Sequence, residues 1–458
     1  MHYKNLIAIT CVLITLLSCS SASEVCEATY FGGQIVNPRQ KFVTLTKNEV
    51  AIDTFYLDKD NTFLAEIIVD KEGLYGFKHA IEFQYVYIEP KDSLLIRLNT
   101  WDFDESLVFS GRGSEKNNFL ISLYLQNEKD EHMFGPYYKL ESKQFEEKVA
   151  QAESLNNFLY EQLKESGVPI SKKFDELAQV AINYPLYLRK EKYSWKFDNP
   201  HKVEDKLALS NTYFDYRNKV DLNNEDLASY SPFYNYVNNY LYGLALTDSE
   251  NRRITLKNRL DVIIEHISFE PTRDMLMYHA LYNDFRRSSQ SCSVDPVGLE
   301  IFMENCTDKE YIDKVNILID DCNKITHNTS LDNFEIADTK NNVLNINKLI
   351  KNKESVVYFW SPEIISPNML IKRVKYLEKE FPNIHFIGIN LNPSPYSNVV
   401  DHKIGNQYYL TKSSTAHNFV KSSEPRTILI DKRGVVSNSF TYLSSPYLAK
   451  QIKKLNSQ

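Results

Sequence analysis

The stretch VVYFWSPEIISPNML, residues 356–370, decides the fold of the C-terminal part of the chain. Its opening residues, VVYFW, are β-branched or aromatic, which is typical of a short buried strand. A short loop follows, and Ser366-Pro367 has the N-cap serine and first-turn proline that open a helix. Apolar residues then recur at helical spacing and predict a buried stripe: Leu370, Val374, Leu377 and Phe381.

The segments that flank this stretch predict alternating strands and helices. IHFIGINL (384–391) is a second apolar strand, so the helix before it forms a crossover that is right-handed by default. RTILIDKRGVV (426–436) predicts a strand with a turn at its KRG triplet, and YLAKQIKKLN (447–456) predicts a closing helix. Upstream, DNFEIADTKNNVLNINKL (332–349) predicts a strand pair and a first helix.

These segments resemble the TlpA/ResA branch of the thioredoxin superfamily. The resemblance rests on Phe359-Trp360 at the end of the first strand, on FIGINLN (386–392), and on EPRTILIDKRGVV (424–436). It implies a thioredoxin-like α/β domain over residues 329–458.

The resemblance also implies a recognition loop. The family places a cis-proline just before the strand that reads TILID here, so it predicts a cis bond before Pro425. Glu424, Pro425 and Arg426 would then form a loop that pairs with an extended peptide, with charged flanks that alter its preference. The alternative is that Pro425 only keeps an inherited turn.

The two positions at which the family has its reactive cysteines hold other residues in this sequence. Thiol-disulfide exchange needs a thiolate at a helix N-terminus and a resolving thiol three residues later. The family's spacing places these groups at Ile364 and Pro367, and residues 356–425 contain no cysteine. A hydrolytic pair of Ser366 and His417 is disfavoured, because Ser366 already has a structural role as the N-cap. The resemblance therefore predicts the fold with a degenerate active site.

The N-terminus, MHYKNLIAITCVLITLLSCSSASEVCE, predicts export. A lysine precedes an apolar run that is too short to span a bilayer, and small residues follow. Leu16-Leu17-Ser18-Cys19 resembles the lipobox of bacterial lipoproteins, which implies a signal peptide over residues 1–18 and lipidation of Cys19. The alternative is simple secretion with cleavage after Ser23. Lipidation would place the chain in a bacterial cell envelope, facing the periplasm or the cell surface, with the choice of membrane open.

The remaining cysteines do not form a redox motif. Cys26, Cys292, Cys306 and Cys322 contain no pair at CxxC spacing, so neither a redox dithiol nor a zinc ribbon is predicted. Disulfides are permitted outside the cytoplasm. We expect either a structural bridge among Cys292, Cys306 and Cys322, or three buried core thiols.

Composition excludes one class of partner. The chain has 458 residues, of which 53 are basic and 60 acidic, and the formal charge of −7 disfavours a nucleic-acid binder. An apolar share of 43% predicts well-filled cores.

The first part of the mature chain predicts strands. Segments such as FLAEIIVD, YVYIEP and SLLIRLN are rich in β-formers and broken by turn residues, which predicts a β-sandwich over residues 19–112 with seven or so strands. FGGQIVNPRQKFVTL, EGLYGFKH and FSGRGSEKNNFL resemble the N-terminal β-domain found ahead of thioredoxin-like domains in envelope lipoproteins. SGRGSEKNN leads into a helix, and Ser114 is placed to cap it.

Residues 113–328 predict a helical region that is rich in tyrosine. Apolar residues at helical spacing recur through it, as in NRRITLKNRLDVIIEHI (251–267). The tyrosines could form a binding surface for a glycan, peptide or protein, or an aromatic core whose hydroxyls reach the surface; they are Tyr184, Tyr187, Tyr193, Tyr213, Tyr216, Tyr234, Tyr236, Tyr240 and Tyr242. The second interpretation is favoured, since no convergent acids or amides accompany them. His266 and His279 have no neighbours at ligand spacing, and we expect no metal and no cofactor.

Three functions are consistent with these features. The favoured one is a lipid-anchored, redox-inactive protein, not an enzyme, that acts in binding or scaffolding, with an unidentified peptide, protein or glycan as partner. The second is a thiol-disulfide oxidoreductase that uses Cys292, Cys306 or Cys322. The third is a glycan- or nutrient-binding lipoprotein that works through the tyrosines.

Overall fold

The computed structural model contains two four-stranded sheets, a run of helices and a seven-stranded sheet, in that order along the chain. It describes residues 28–48, 50–197, 209–247, 254–287, 294–392, 400, 403–422 and 426–455. The proposed signal segment, the lipobox and Cys19 lie outside these residues. Among the described helices, none is both long and apolar enough to cross a membrane.

Eight strands form the N-terminal sheets, one more than the sequence suggested because the short last strand pairs with its predecessor. The strands are β1 (Thr29–Val36), β2 (Phe42–Lys47), β3 (Val50–Tyr56), β4 (Thr62–Ile67), β5 (Gly73–His79), β6 (Glu82–Ile88), β7 (Ser93–Asn99) and β8 (Val108–Ser110). Their orders are β4-β1-β7-β8 and β3-β2-β5-β6.

The two N-terminal sheets pack face to face as a β-sandwich. Alternating side chains from both sheets form one core in which Phe31, Phe77 and Leu98 are fully buried. The Phe31 ring meets that of Phe63 at 5.6 Å, close to perpendicular, which is a favourable aromatic geometry. Alternation at period two therefore places the apolar face inside, as the sequence predicted.

Eight helices follow the sandwich among the described residues. They are α1 (Ser114–Tyr137), α2 (Ser142–Glu165), α3 (Lys172–Phe197), α4 (Ser231–Thr247), α5 (Leu256–His266), α6 (Glu270–Arg287), α7 (Pro296–Asn305) and α8 (Lys309–Asn323). The sandwich docks on them through Tyr85, whose hydroxyl donates to the Ser229 carbonyl at 2.8 Å and accepts from the Ser231 N–H at 2.9 Å.

The predicted cap of α1 is wrong. The N-cap is Gly113, with φ of 94°, and it makes no side-chain cap bond. The Ser114 hydroxyl instead points to Glu115, at 3.4 Å. Glycine is required here, because a Cβ on Gly113 would lie 2.6 Å from the Asp92 carboxyl group.

The C-terminal sheet follows the predicted alternation and gains one strand. Its elements are β9 (Glu335–Ala337), β10 (Val343–Asn345), α9 (Ile346–Ile350), β11 (Ser355–Trp360), α10 (Pro367–Glu380), β12 (His385–Asn390), β13 (Gln407–Leu410), β14 (Thr427–Ile430), β15 (Val436–Thr441) and α11 (Leu448–Leu455). The order is β10-β9-β13-β12-β11-β14-β15, with β11 parallel to β12 and antiparallel to β14.

Strand β11 is central and buried on both faces. Val356, Tyr358 and Trp360 pack with α10 and α11, while Val357 and Phe359 pack on the opposite face with α9. This double burial explains the unbroken apolar run in the sequence. The predicted stripe of α10 is confirmed, since all four of its residues are buried.

The helical region and the C-terminal sheet are joined by backbone and side-chain contacts. The N–H of Asn328 donates to the Val436 carbonyl at 2.9 Å, and the N–H of Val436 donates to Thr329 at 2.8 Å, which extends the edge of β15. Phe440 of β15 belongs to the core of the helices. The Arg286 guanidinium of α6 lies 3.8 Å from the centre of the Tyr442 ring.

Candidate functional site

The loop after β11 is built as the sequence predicted. The Ser361 carbonyl accepts from the N–H groups of Ile364 and Ile365, both at 3.0 Å, which closes a tight turn. Ser366 is the N-cap of α10, and its hydroxyl accepts from the Met369 N–H at 3.3 Å. Pro367 begins the helix, where its missing N–H costs nothing.

No thiol is present at the two positions that the sequence resemblance assigned to reactive cysteines. Ile364 and Pro367 are half-buried, and neither side chain can ionise or attack a disulfide. Below the loop, the Trp360 side chain is 1% exposed, and its indole N–H has no hydrogen-bond partner among the described residues. The loop therefore retains the strand end and the helix start without a reactive group between them.

Ser366 and His417 have separate partners. The His417 Nε2 atom lies 2.9 Å from the Thr411 carbonyl oxygen, in a short 3-10 helix over Thr415–Asn418. The Ser366 hydroxyl is engaged at the start of α10. Neither contact supports a hydrolytic pair.

The segment before Pro425 is held by a helix from the preceding region. The Asp321 carboxylate of α8, fully buried, accepts from the Ser422 N–H at 2.8 Å and from the Ser422 hydroxyl at 2.6 Å. It also accepts from the Lys421 N–H at 3.2 Å, while the Lys421 ammonium bonds to the exposed Asp320 at 2.8 Å. Glu424, Pro425 and the predicted cis bond lie outside the described residues.

Arg426 is not a charged flank of an open loop, which corrects the expectation drawn from the family. Its side chain is 1% exposed, because three backbone carbonyls surround it. The Nη1 group donates to Asp321 at 2.8 Å and to Phe419 at 2.5 Å, and Nε donates to Ser439 at 2.8 Å. Burial lowers the pKa of Arg426 to about 10, and the charge of Asp321 opposes this shift.

The cysteines divide into one free thiol and one disulfide among the described residues. Cys306 is free and buried, and burial raises the pKa of its thiol to about 11. Its Sγ donates to the Asp308 carbonyl at 3.7 Å. Cys322 is disulfide-bonded to a residue outside the described part, where Cys292 and Cys26 also lie. A bridge between Cys306 and either of the other two predicted cysteines is therefore wrong.

Most of the tyrosines singled out in the sequence are core residues. Tyr184, Tyr193, Tyr213, Tyr216 and Tyr236 are buried, with at most 8% of each side chain exposed. The other four are half-buried. Several of their hydroxyls bond within the protein: Tyr193 donates to the Leu140 carbonyl at 2.8 Å, and Tyr216 donates to the buried Glu191 at 2.7 Å. This favours the core interpretation over an aromatic binding surface.

The pairing between α8 and the segment before Pro425 could not be predicted from the sequence. Asp321 and Ser422 lie about a hundred residues apart, and each is of an ordinary type for an exposed position. The weak signal that was available is an Asp-Asp pair at the end of an amphipathic helix.

Comparisons with known proteins find similar structures only. No protein-family model and no curated protein matches the chain. A candidate thiol-disulfide oxidoreductase from Bacteroides vulgatus is 22% identical, and the match covers 29% of this chain and 98% of that one, with a TM-score of 0.25. A candidate thiol:disulfide interchange protein DsbE from Chlorobium tepidum is 11% identical, covering 29% and 96%, with a TM-score of 0.25.

A third similar structure is the C-terminal domain of a candidate thiol-disulfide oxidoreductase from Bacteroides thetaiotaomicron. It is 16% identical, and the match covers 29% of this chain and 98% of that domain, with a TM-score of 0.25. The similar structures are thioredoxin-like domains of thiol-disulfide oxidoreductases. Identities this low and TM-scores of 0.25 say nothing of what this chain binds or catalyses.

Proposed function

We propose that the protein is a lipid-anchored, redox-inactive cell-envelope protein that acts in binding or scaffolding, and that its C-terminal sheet is a TlpA-type thioredoxin-like domain. The observation that carries this proposal is the pair Ile364 and Pro367, which stand at the two reactive positions of an otherwise well-formed strand–loop–helix. The fold is retained there without its nucleophile.

The contacts of the loop before Pro425 support a structural role for the domain. Its backbone donors at Lys421 and Ser422 are already bound by Asp321, and Arg426 ties the start of β14 to the same helix. The described residues on either side of the predicted recognition loop are thus bound to the chain's own helical region. A domain used in this way holds other parts of the protein in place.

Displaced cysteines offer poor support for thiol exchange. A nucleophilic thiol needs a lowered pKa and access to solvent, whereas Cys306 is buried and has a raised pKa. Cys322 is held in a disulfide. The alternative of an oxidoreductase without a CxxC motif therefore has no favourable residue among the described cysteines.

Reduction of insulin disulfides by the purified protein tests the redox part of the proposal. We expect that neither the wild type nor Cys306→Ala reduces insulin faster than dithiothreitol alone does. Turnover by the wild type that disappears in Cys306→Ala or Cys322→Ala would overturn it and establish the oxidoreductase.

Membrane fractionation tests the anchoring part. We expect the wild type in the membrane fraction and Cys19→Ser in the soluble fraction, because multiple acyl chains on one cysteine hold durably. Labelling with a fatty-acid analogue identifies the modified residue. A Cys19→Ser protein that stays with the membrane would contradict the anchor.

A further inference from the structure

A wide opening lies where the β-sandwich meets the helical region, far in sequence from the degenerate loop. We name it the charged cleft. Its volume is about 1130 Å³, and its lining comes from four segments, 70–72, 89–92, 111–116 and 168–173. Three of these are connections of the sandwich or the start of α1, and the fourth is the connection between α2 and α3.

A fixed ion pair forms one part of the cleft wall. The Lys116 side chain is buried, and its ammonium donates to the Glu89 carboxylate at 2.6 Å. The same ammonium lies 5.2 Å from the centre of the Phe174 ring and 6.0 Å from that of Tyr87. A buried lysine is stabilised only by such partners, so both charges are held in place before any ligand arrives.

A second carboxylate is fixed beside this pair. Glu72 accepts from the Tyr87 hydroxyl at 2.6 Å and from the Ser171 hydroxyl at 2.5 Å. Ser171 lies just before α3, so this contact joins the sandwich to the helices. The wall of the cleft thus presents a preorganised set of two carboxylates and one ammonium.

The Asp92 carboxylate fixes the turn between β6 and β7. It accepts from the Glu89 N–H at 2.8 Å and lies against Gly113, the N-cap of α1. Burial raises the pKa of Asp92 to about 6. The turn that carries Glu89 and Lys91 is therefore held rigidly at the mouth of the cleft.

The charges of the lining balance. Its acidic and basic residues are equal in number: Asp70, Glu72, Glu89, Asp92 and Glu115 against Lys71, Lys91, Arg112, Lys116 and Lys173. A polyanion or a polycation would meet as many like charges as opposite ones. An uncharged ligand would remove these charges from water without replacing their solvation, which is unfavourable.

We propose that the charged cleft binds a short zwitterionic peptide, one that presents ammonium and carboxylate groups together. The volume exceeds that of ordinary small-molecule pockets, which favours a peptide over a single amino acid. An oligosaccharide would find no aromatic ring among the described residues that line the cleft. The inference is independent of the redox state of the C-terminal domain.

Calorimetric titration of the full chain tests this inference. The probes are the tripeptides Lys-Ala-Glu and Glu-Ala-Lys with free termini, their uncharged, end-blocked analogues, trilysine and triglutamate. We expect heat only with the first two, and weaker binding at higher salt, because the rim charges are exposed. Equal binding of the uncharged analogues, a preference for either single-sign peptide, or no binding of any probe at millimolar concentration would overturn it.

Rim variants place the binding in this cleft. Asp70 and Lys91 are exposed, so Asp70→Asn with Lys91→Gln should fold normally and weaken binding about tenfold. Lys59→Gln with Asp60→Asn, in the exposed turn after β3, is the matched control and should bind as the wild type does. Binding that is equally strong in both double variants would contradict the assignment to the cleft.

Discussion

The carboxylate of Asp321 binds both the backbone N–H and the hydroxyl of Ser422, at 2.8 and 2.6 Å, and it is fully buried while doing so. This contact joins the last long helix of the helical region to the loop that leads into β14. Together with Arg426, it makes that loop part of an internal interface. The proposal that the C-terminal sheet serves binding or scaffolding rather than disulfide exchange depends on this arrangement.

Removing the Asp321 carboxylate should loosen the loop. Asp321→Ala leaves three donors without an acceptor, and the two that belong to Ser422 are buried, which we expect to cost about 3 kcal/mol locally. Hydrogen exchange at the amides of Lys421 and Ser422 should then accelerate by roughly a hundredfold. Asp313→Ala, at an exposed position of the same helix, is the matched control, and exchange should stay as in the wild type. Unchanged hydrogen exchange in Asp321→Ala would contradict the claim that Asp321 holds this loop in place.

The Arg426 fork should be irreplaceable by lysine. Arg426→Lys keeps a charge but has one donor nitrogen in place of Nε and Nη1, which reach the carbonyls of Asp321, Phe419 and Ser439, so we expect a loss of about 3 kcal/mol in the free energy of unfolding. Urea unfolding followed by tryptophan fluorescence measures this loss. Arg433→Lys, whose side chain is 77% exposed, should leave the curve in place. A stability loss shared by both variants would argue against a specific role for Arg426.

Cys306 should be inert in the folded protein. With a pKa of about 11, only about one thiol in a thousand is ionised at pH 8, and the side chain is buried. Ellman's reagent should therefore titrate one more thiol in urea than in the native protein, and Cys306→Ala should remove that difference. Rapid labelling of Cys306 in the native protein would instead support the alternative of an oxidoreductase.

The partner of Cys322 should be Cys292. Cys306 is free, and Cys292 is the nearest remaining cysteine along the chain, so this pairing closes the shortest loop. Peptide mapping without reductant should recover one cross-linked fragment that contains both residues. Recovery of Cys26 linked to Cys322 instead would disprove this pairing.

Stability should fall on mild acidification because of His279. Burial, helped by the charges of Arg259 and Lys314, lowers the pKa of His279 to about 4. As the pH falls below about 6.5, the unfolded chain therefore binds a proton at His279 while the folded chain does not. The contribution of neutral His279 to the free energy of unfolding is on the order of 3 kcal/mol. It is complete above pH 6.5 and is lost as the pH falls from 6.5 to about 4. His279→Gln should remove this slope from the pH dependence of unfolding. A wild-type slope that persists in His279→Gln would assign it to other groups.

Local signals in the sequence predicted the elements of the fold well. The unbroken apolar run before Ser361 predicted a short buried strand, and Ser366-Pro367 predicted the start of α10, because such patterns depend on neighbours along the chain. The cap predicted at Ser114 was wrong, because Gly113 is the N-cap in a left-handed conformation that leaves no room for a side chain beside Asp92.

Long-range features were not predictable in the same way. In the sequence, Arg426 is a charged residue beside a proline and is expected to be exposed. It is buried because the carbonyls of Asp321, Phe419 and Ser439 come together around it only in the folded chain. The charged cleft draws on four separate segments of chain. Neither feature has a signature at fixed spacing, so both required the structure.

Insulin reduction by the wild type, compared with the variant Ile364→Cys with Pro367→Cys, tests the central claim most directly. If the domain is redox-inactive, the wild type should reduce insulin at the rate of dithiothreitol alone. The variant should be faster, because it introduces two thiols at the start of α10. A wild type that accelerates insulin reduction by itself would contradict the claim that this domain no longer performs disulfide exchange.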